Sequence, residues 1–466
     1  MKQSVRLADG SGYEPAAVHA SRSPSALMLF VRYPIFLLAL GPPIFRPADA
    51  NAGVNAAQAH FDLWNLFQVV WISLIALRAI IRLTRARTIF IPRQVRFVLI
   101  LAFFLNLLFF VSVSYSPGPI ISTEFSVLYF FTLVCVVEFV VDVYRDPPNW
   151  MKLVFQLRLI SFLLLAAVLV AIPLASTFVF VILPGAGIRL TGGAVAPVTV
   201  ICPFISIISA YSFLHSLEPR IRSFLFFLVG LAGTAISQTR GAEIALFLML
   251  VAIVLGWARL KRQSAHLFIA GLMASILIGT VIVGAIGGES IWKIFNRGGD
   301  TENVMTGSGR AEVWKFAVSY TLTHPQGMGY VAGFRTLFPN HFDLYVNGDQ
   351  SHLGNTHNTF LQYLADAGWL ALGLYLIMMA KTLALGWRFS KKPALVGLAS
   401  DSVTRHATRC ALLLLVYCLL EGMEASDFAI PLRQPFSIQY AVVAMILGIS
   451  AGRLAASRAR YFPLAN

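Results

Sequence analysis

The chain has 466 residues, of which 58% are hydrophobic and 12% charged, with a formal net charge of +15. A soluble chain carries about 25% charged residues, so half that share, together with 36 Phe and 8 Trp, excludes both an ordinary cytosolic globule and a disordered chain. The positive excess fits either nucleic acid or the cytoplasmic loops of a membrane protein, and the placement of the charges decides between them.

A bilayer core about 30 Å thick needs about 20 mostly apolar residues per helix. In chain order such runs lie at 26–44, 61–81, 96–116, 125–144, 159–183, 195–215, 223–238, 241–257, 265–286, 359–386, 407–423 and 435–452. The first is interrupted by Arg32, Pro34, Pro42 and Pro43. Ala48-Asp49-Ala50 after it has the small-x-small form of a signal-peptidase site, but the polar leader ahead of the run is long and the run contains an arginine, so it is read as a retained span. The seventh and eighth runs are short and are joined by Gln238-Thr239-Arg240. The pattern predicts an all-α, polytopic membrane bundle of about twelve helices: a tail over 1–25, nine spans within 26–286, a large loop over 287–358, three spans within 359–452 and a tail over 453–466.

With the N-terminus inside, 25 of the 36 Lys and Arg fall on or beside inside segments, nine fall outside, and Arg32 and Lys381 lie within spans. Arg78, Arg82, Arg85, Arg87, Arg93 and Arg96 flank one short inside turn, and Arg259, Lys261 and Arg262 flank another. This is the bias that sets orientation, not a binding stripe, so nucleic acid is excluded as a partner and the lipid bilayer takes its place. Cys135, Cys202, Cys410 and Cys418 all fall in predicted spans, which reads as buried small side chains with no disulfide framework. No internal repeat is visible, and only one half of the chain carries a large outside loop, which weakens an inverted-repeat transporter.

That loop, about seventy residues long, is too long for a structureless connection. Its parity places it outside, which in a bacterium is the periplasm. Gly298-Gly299-Asp300 and Thr306-Gly307-Ser308-Gly309 read as turns. Residues 311–320 have helical spacing, with Trp314, Ala317, Val318 and Thr321 on one face and Arg310 one turn before Trp314, predicting a helix in the membrane interface. Asn355-Thr356-His357-Asn358 caps a long apolar helix from Thr359, which puts His357 where the loop meets a span, at the positive end of a helix dipole.

Gly309-Arg310-x-x-x-Trp314, then His324-Pro325-x-Gly327-x-Gly329, then His357-Asn358-x-x-Leu361 with Gly368 seven residues on, resembles the O-antigen ligase and polymerase superfamily of surface-polysaccharide glycosyltransferases. Ser237-x-x-Arg240-Gly241-Ala242 resembles that family's upstream arginine motif, and the resemblance covers about residues 230–380. It implies a GT-C-like helical bundle in the bacterial inner membrane. It also implies metal-independent, inverting transfer of a glycan from a polyprenyl (undecaprenyl) diphosphate to an acceptor hydroxyl, in O-antigen or exopolysaccharide assembly, with no cofactor. The acceptor is a second glycan in a polymerase or a lipid A-core in a ligase. The well-formed Gly-Arg-x-x-x-Trp stretch leans toward the polymerase. Other polysaccharide-assembly proteins are possible partners.

The chemistry needs cationic donors for the diphosphate, a base for the acceptor and a path for the lipid. A guanidinium pairs with phosphate oxygens and stays charged, so the resemblance assigns the diphosphate to Arg240 and Arg310 and gives Arg310 a catalytic role in stabilising the leaving group. A neutral imidazole accepts a hydroxyl proton, which makes His357 the candidate base. Arg335 and Arg297 are looser candidates. Asn358 orients the ring or, more simply, caps the helix, and Trp314 packs or stacks on sugar. Intramembrane ionisable groups are candidates by default, so Glu138, Lys381, Glu421 and Glu424 join the set, the last two near the outer end of a span. His352 and His357 lack zinc-pair spacing, and Asp300-Thr301-Glu302 reads as a solvated turn, so no metal site is expected. The rival function is a transporter or flippase for lipid-linked oligosaccharide.

Overall fold

The computed structural model describes residues 32–41, 63–86, 91–174, 180–183, 187–190, 197–237, 239–260, 310–334, 337, 356–391, 400–425, 427–431 and 434–461. Lipid offers no hydrogen bonds to the backbone, so apolar runs must close their own bonds as helices. Helix α1 spans Pro34–Leu40, α2 Leu63–Thr84, α3 Arg93–Ser112, α4 Pro119–Arg145, α5 Trp150–Leu174, α6 Val198–His215, α7 Arg220–Ser237 and α8 Arg240–Leu260. After the loop come α9 (Arg310–Thr323), α10 (Thr359–Lys391), α11 (Ser400–Glu421) and α12 (Gln434–Tyr461). Among the described residues nine helices are long and apolar enough to cross a membrane, and α8, at 21 residues, runs against α6 and α11. The expected ninth span, 265–286, lies outside the described residues.

Among the described residues the bundle is all-α apart from one short antiparallel hairpin, Phe180–Leu183 paired with Gly187–Leu190. The expected span at 159–183 is therefore displaced. Its helix starts at Trp150 and ends at Leu174, directly after Pro173. Apolarity alone could not separate the helix from the β-branched run that follows, because both raise a hydropathy window equally. The early start is explained by the buried Trp150, Met151, Leu153, Val154 and Leu157, which carry Lys152, Gln156 and Arg158 into the helix with them.

Helix α12 is the centre of the bundle. Its span is 94% buried, against 22% for α2 and 28% for α7, which mark the lipid-facing rim. It packs on α1, α4, α10 and α11. The tightest helix pair is α6 with α7. A Cβ at Gly230 would lie 2.6 Å from the Cys202 carbonyl oxygen, so only glycine lets these backbones approach. The four cysteines are free and buried.

One end of the bundle carries a network of ion pairs. Arg32 bonds Asp142 at 3.0 Å and Asp146 at 2.7 Å, and Arg82 bonds Glu138 at 2.8 Å and Asp142 at 3.0 Å. The arginine inside the first apolar run thus serves to fasten α1 to α4. Glu138, a candidate on sequence grounds, is a member of this network at the far end of α4 from the site below.

Candidate active site

The opposite end is organised by the start of α10. Asn358 Oδ1 accepts the backbone N–H groups of Phe360 (2.9 Å) and Leu361 (3.0 Å), which caps the helix as its residue type favours. The same side chain donates from Nδ2 to the Met423 carbonyl at 2.9 Å. Thr359 adds two bonds to the same turn, from its N–H to the Gly422 carbonyl (2.7 Å) and from its hydroxyl to the Ala425 carbonyl (2.6 Å). The turn after α11, which holds Glu421 and Glu424, is thereby stitched to the head of α10.

Two further segments reach this point. A Cβ on Gly241, at the head of α8, would lie 2.7 Å from Glu424 Oε2, so the Arg240-Gly241 step rests against that carboxylate. On the other side, Trp314 Nε1 donates to the Thr356 carbonyl at 2.9 Å. The structure therefore gathers Arg240, Trp314, His357, Asn358, Glu421 and Glu424 where α8, α9, α10 and the α11–α12 turn meet. Arg310 opens α9, one turn before Trp314. Arg297, Arg335 and the Asp300-Thr301-Glu302 triplet lie outside the described residues.

His357 is half-buried and has φ +49°, a left-handed backbone uncommon for a residue with a Cβ. Strain of this kind persists only where neighbours impose it. Here Thr356 holds one side, its hydroxyl donating to the Asn358 carbonyl at 2.7 Å, and the helix cap holds the other. The histidine stands immediately before the N-terminus of α10, whose first N–H groups are taken by the Asn358 side chain and the Gly422 carbonyl, so the helix dipole rather than free N–H groups favours anions there.

Helix α9 is anchored to the bundle as well as carrying the aromatics that suggested an interfacial helix. It packs on α10, with Val313, Ala317 and Thr321 buried and Trp314 half-buried. The indole that reads as a headgroup anchor also positions Thr356.

The His324-Pro325 and glycine signals also have a structural role. Helix α10 breaks at Ala367 and Gly368, and the break leaves backbone groups without helical partners. The loop supplies them. Met328 N–H bonds the Ala365 carbonyl at 2.7 Å, Gly329 N–H the Asp366 carbonyl at 2.8 Å, and Trp369 N–H the Pro325 carbonyl at 3.2 Å. Gly368 has φ +78°, and a Cβ there would stand 2.0 Å from the Pro325 oxygen. Beyond the break, Tyr330 is fully buried, stacked on Phe109 at 3.7 Å, with its hydroxyl on the Ala429 carbonyl at 2.9 Å.

Sequence reasoning missed one part of this region. The Thr356 N–H bonds Gln362 Oε1 at 3.0 Å, and Gln362 Nε2 bonds Asp366 Oδ1 at 2.9 Å, both side chains fully or almost fully buried. This polar line runs along one face of α10 from the histidine to the break. The signal was present: Gln362 and Asp366 are four apart, and an acid inside an apolar span is a candidate by default.

Residues 225–376 match the family model described as O-antigen ligase. Over that third of the chain the sequence is similar to the O-antigen ligase family. The matched segment runs from α7 to the middle of α10, and so includes Arg240, α9, His357 and the break at Gly368. Glu421 and Glu424 fall outside it, yet they lie in the turn that the O-antigen ligase segment grips. No curated protein matches the chain.

Proposed function

We propose that the chain is an inner-membrane glycosyltransferase that moves a glycan from a polyprenyl (undecaprenyl) diphosphate to an acceptor hydroxyl on the periplasmic side. The observation that carries this is the meeting of Arg240-Gly241, α9 headed by Arg310, and His357 at one end of a membrane bundle. A diphosphate needs cations in a setting where lipid can reach it, and the rim helices around α8 meet that need. His357 takes the proton from the acceptor hydroxyl, and the oxygen attacks the anomeric carbon from the face opposite the leaving group. The bond to the diphosphate oxygen breaks, its charge passes to Arg240 and Arg310, and the anomeric configuration inverts. The arginines do the neutralising, so no metal or cofactor takes part. Asn358 keeps the helix head and the turn of Glu421 and Glu424 together around the histidine, and Trp314 fixes the peptide before it. The acceptor favoured is a second lipid-linked glycan, making this a polymerase of O-antigen or exopolysaccharide, with lipid A-core as the alternative.

The test is reconstitution of the full chain with a polyprenyl-diphosphate glycan and each acceptor in turn. Polymer from the glycan acceptor alone is expected. Transfer to lipid A-core alone would make it a ligase, and translocation without any new glycosidic bond would overturn the transferase reading. A chelator is expected to leave the rate unchanged.

A further inference from the structure

A second chemically distinct surface lies at the other end of the bundle. A groove of about 810 Å³ opens between α3 and α10, and Arg93, Arg96, Lys381 and Arg388 line it together with Phe97 and Ile100. All six side chains are exposed. The four cations have no carboxylate to meet in either strand of chain that forms the groove. The sequence holds no Asp or Glu from 63 to 123, nor between Asp366 and Asp401. Their contacts are neutral: Arg388 reaches Gln94 Oε1 at 3.5 Å, Arg96 the Ile91 carbonyl at 3.1 Å, and Lys381 the Phe97 ring at 6.0 Å. Elsewhere at this end the pattern is the reverse, with Arg32, Arg82 and Arg158 each paired to carboxylates.

The groove also sits at the boundary of the membrane. Arg93 is the first residue of α3, and below it the helix face turns wholly apolar through Phe103, Phe104 and Leu107. Trp387 is 59% exposed beside Arg388, with Lys391 over its ring at 4.2 Å, the pairing of an interfacial belt. Lys381, which looks misplaced inside a span, is about two turns from Arg388 on α10 and lends its charge to the same groove.

We infer that this groove binds an anionic phospholipid of the surrounding leaflet, the phosphate held by Arg93, Arg96, Lys381 and Arg388 and an acyl chain lying along Phe97 and Ile100. Positive charge without counter-charge among the described residues at the membrane boundary, continued into an apolar wall, matches a lipid with a charged head and a hydrocarbon tail. A soluble phosphate would use the cations and leave the wall idle. A neutral lipid would use the wall and leave the cations unpaired.

Native mass spectrometry of the full chain in detergent, titrated with diphosphatidylglycerol, with a zwitterionic phosphatidylcholine and with inorganic pyrophosphate, tests this. Wild type is expected to retain diphosphatidylglycerol in preference to the other two. The exposed double variant Arg93→Gln/Arg388→Gln is expected to weaken it by about 25-fold, at about fivefold per cation near an anionic surface. The matched double variant Lys152→Gln/Arg220→Gln, which removes exposed cations from the same end away from the groove, should leave it unchanged. Equal retention of the zwitterionic lipid, equal binding of pyrophosphate, or equal losses in the two double variants would overturn the proposal. A circular-dichroism melt of each variant reports whether it has folded, and Lys381→Gln, expected to lose about fivefold, supplies an independent arm.

Discussion

At the scale of single residues, the proposed mechanism separates groups expected to do chemistry from groups that hold them. His357→Ala is expected to lower transfer by about 10²–10⁴-fold, the range for removal of a general base, with insertion in the membrane unchanged. Near-normal product ladders from that variant would remove the histidine from the mechanism. Arg310→Ala and Arg240→Ala should each cost about 10²–10³-fold by losing charge stabilisation on the leaving group. Asn358→Ala acts differently. It loses a helix cap and the bond to Met423, so it should destabilise by about 1–2 kcal/mol, seen as a lower melting temperature in detergent. Motif spacing made His357, Asn358 and Arg240 visible, because a cap, a histidine and an arginine after an apolar run are local signals. Asp366 was hidden by the apolarity around it, and its link to Gln362 needed only the helical period to be seen.

At the scale of elements, the break in α10 is the least local feature and was not legible. Gly368 could be spotted as a spaced glycine, but nothing nearby in the chain says that the loop near Pro325 supplies its hydrogen bonds. Gly368→Ala combines a disfavoured backbone with a contact at 2.0 Å, and should cost about 2–4 kcal/mol in a denaturant or thermal titration. Many span boundaries were read to within a few residues, but α4 and α11 start at Pro119 and Ser400, ahead of the expected 125 and 407, α12 runs on to Tyr461, and α5 failed outright, where Pro173 separates a helix from a hairpin that is just as apolar. A second element-scale tie joins α5 to the α6–α7 turn. Glu218 accepts from Arg158 and, at 2.8 Å, from the Ser223 hydroxyl. Burial pushes its carboxyl up, but the bonds to Arg158 and Ser223 and the charges of Arg158 and Arg222 outweigh this and hold it below the ordinary carboxylate value. A carboxylate with a depressed folded pKa stabilises above its unfolded value and loses that contribution as the pH falls through the folded one. Glu218→Gln should therefore melt below wild type at neutral pH, and the gap should close on acidification below about pH 4.

At the scale of the whole molecule, the two ends of the bundle carry opposite instructions. Hydropathy made the membrane bundle readable, since it depends on composition summed over long stretches, and charge placement supplies the orientation proposed for it. The proposed orientation predicts that a cysteine at Met423, which is 53% exposed beside the site, reacts with a membrane-impermeant thiol reagent from the periplasm. One at Arg388 should react only after the cytoplasmic face is opened. The four native cysteines are buried and give little background, and reversed labelling would invert the topology. The exchange of backbone bonds between Met328-Gly329 and the break in α10 has one more consequence. A stretch of the outside loop and the middle of a membrane helix form a single mechanical part, although about forty residues of chain separate them. A chimera that swaps the loop from a protein matching the same family model, but keeps this α10, would bring together two halves cut to different patterns. Acceptor preference should therefore travel between relatives only when residues 310–376 are exchanged as one block.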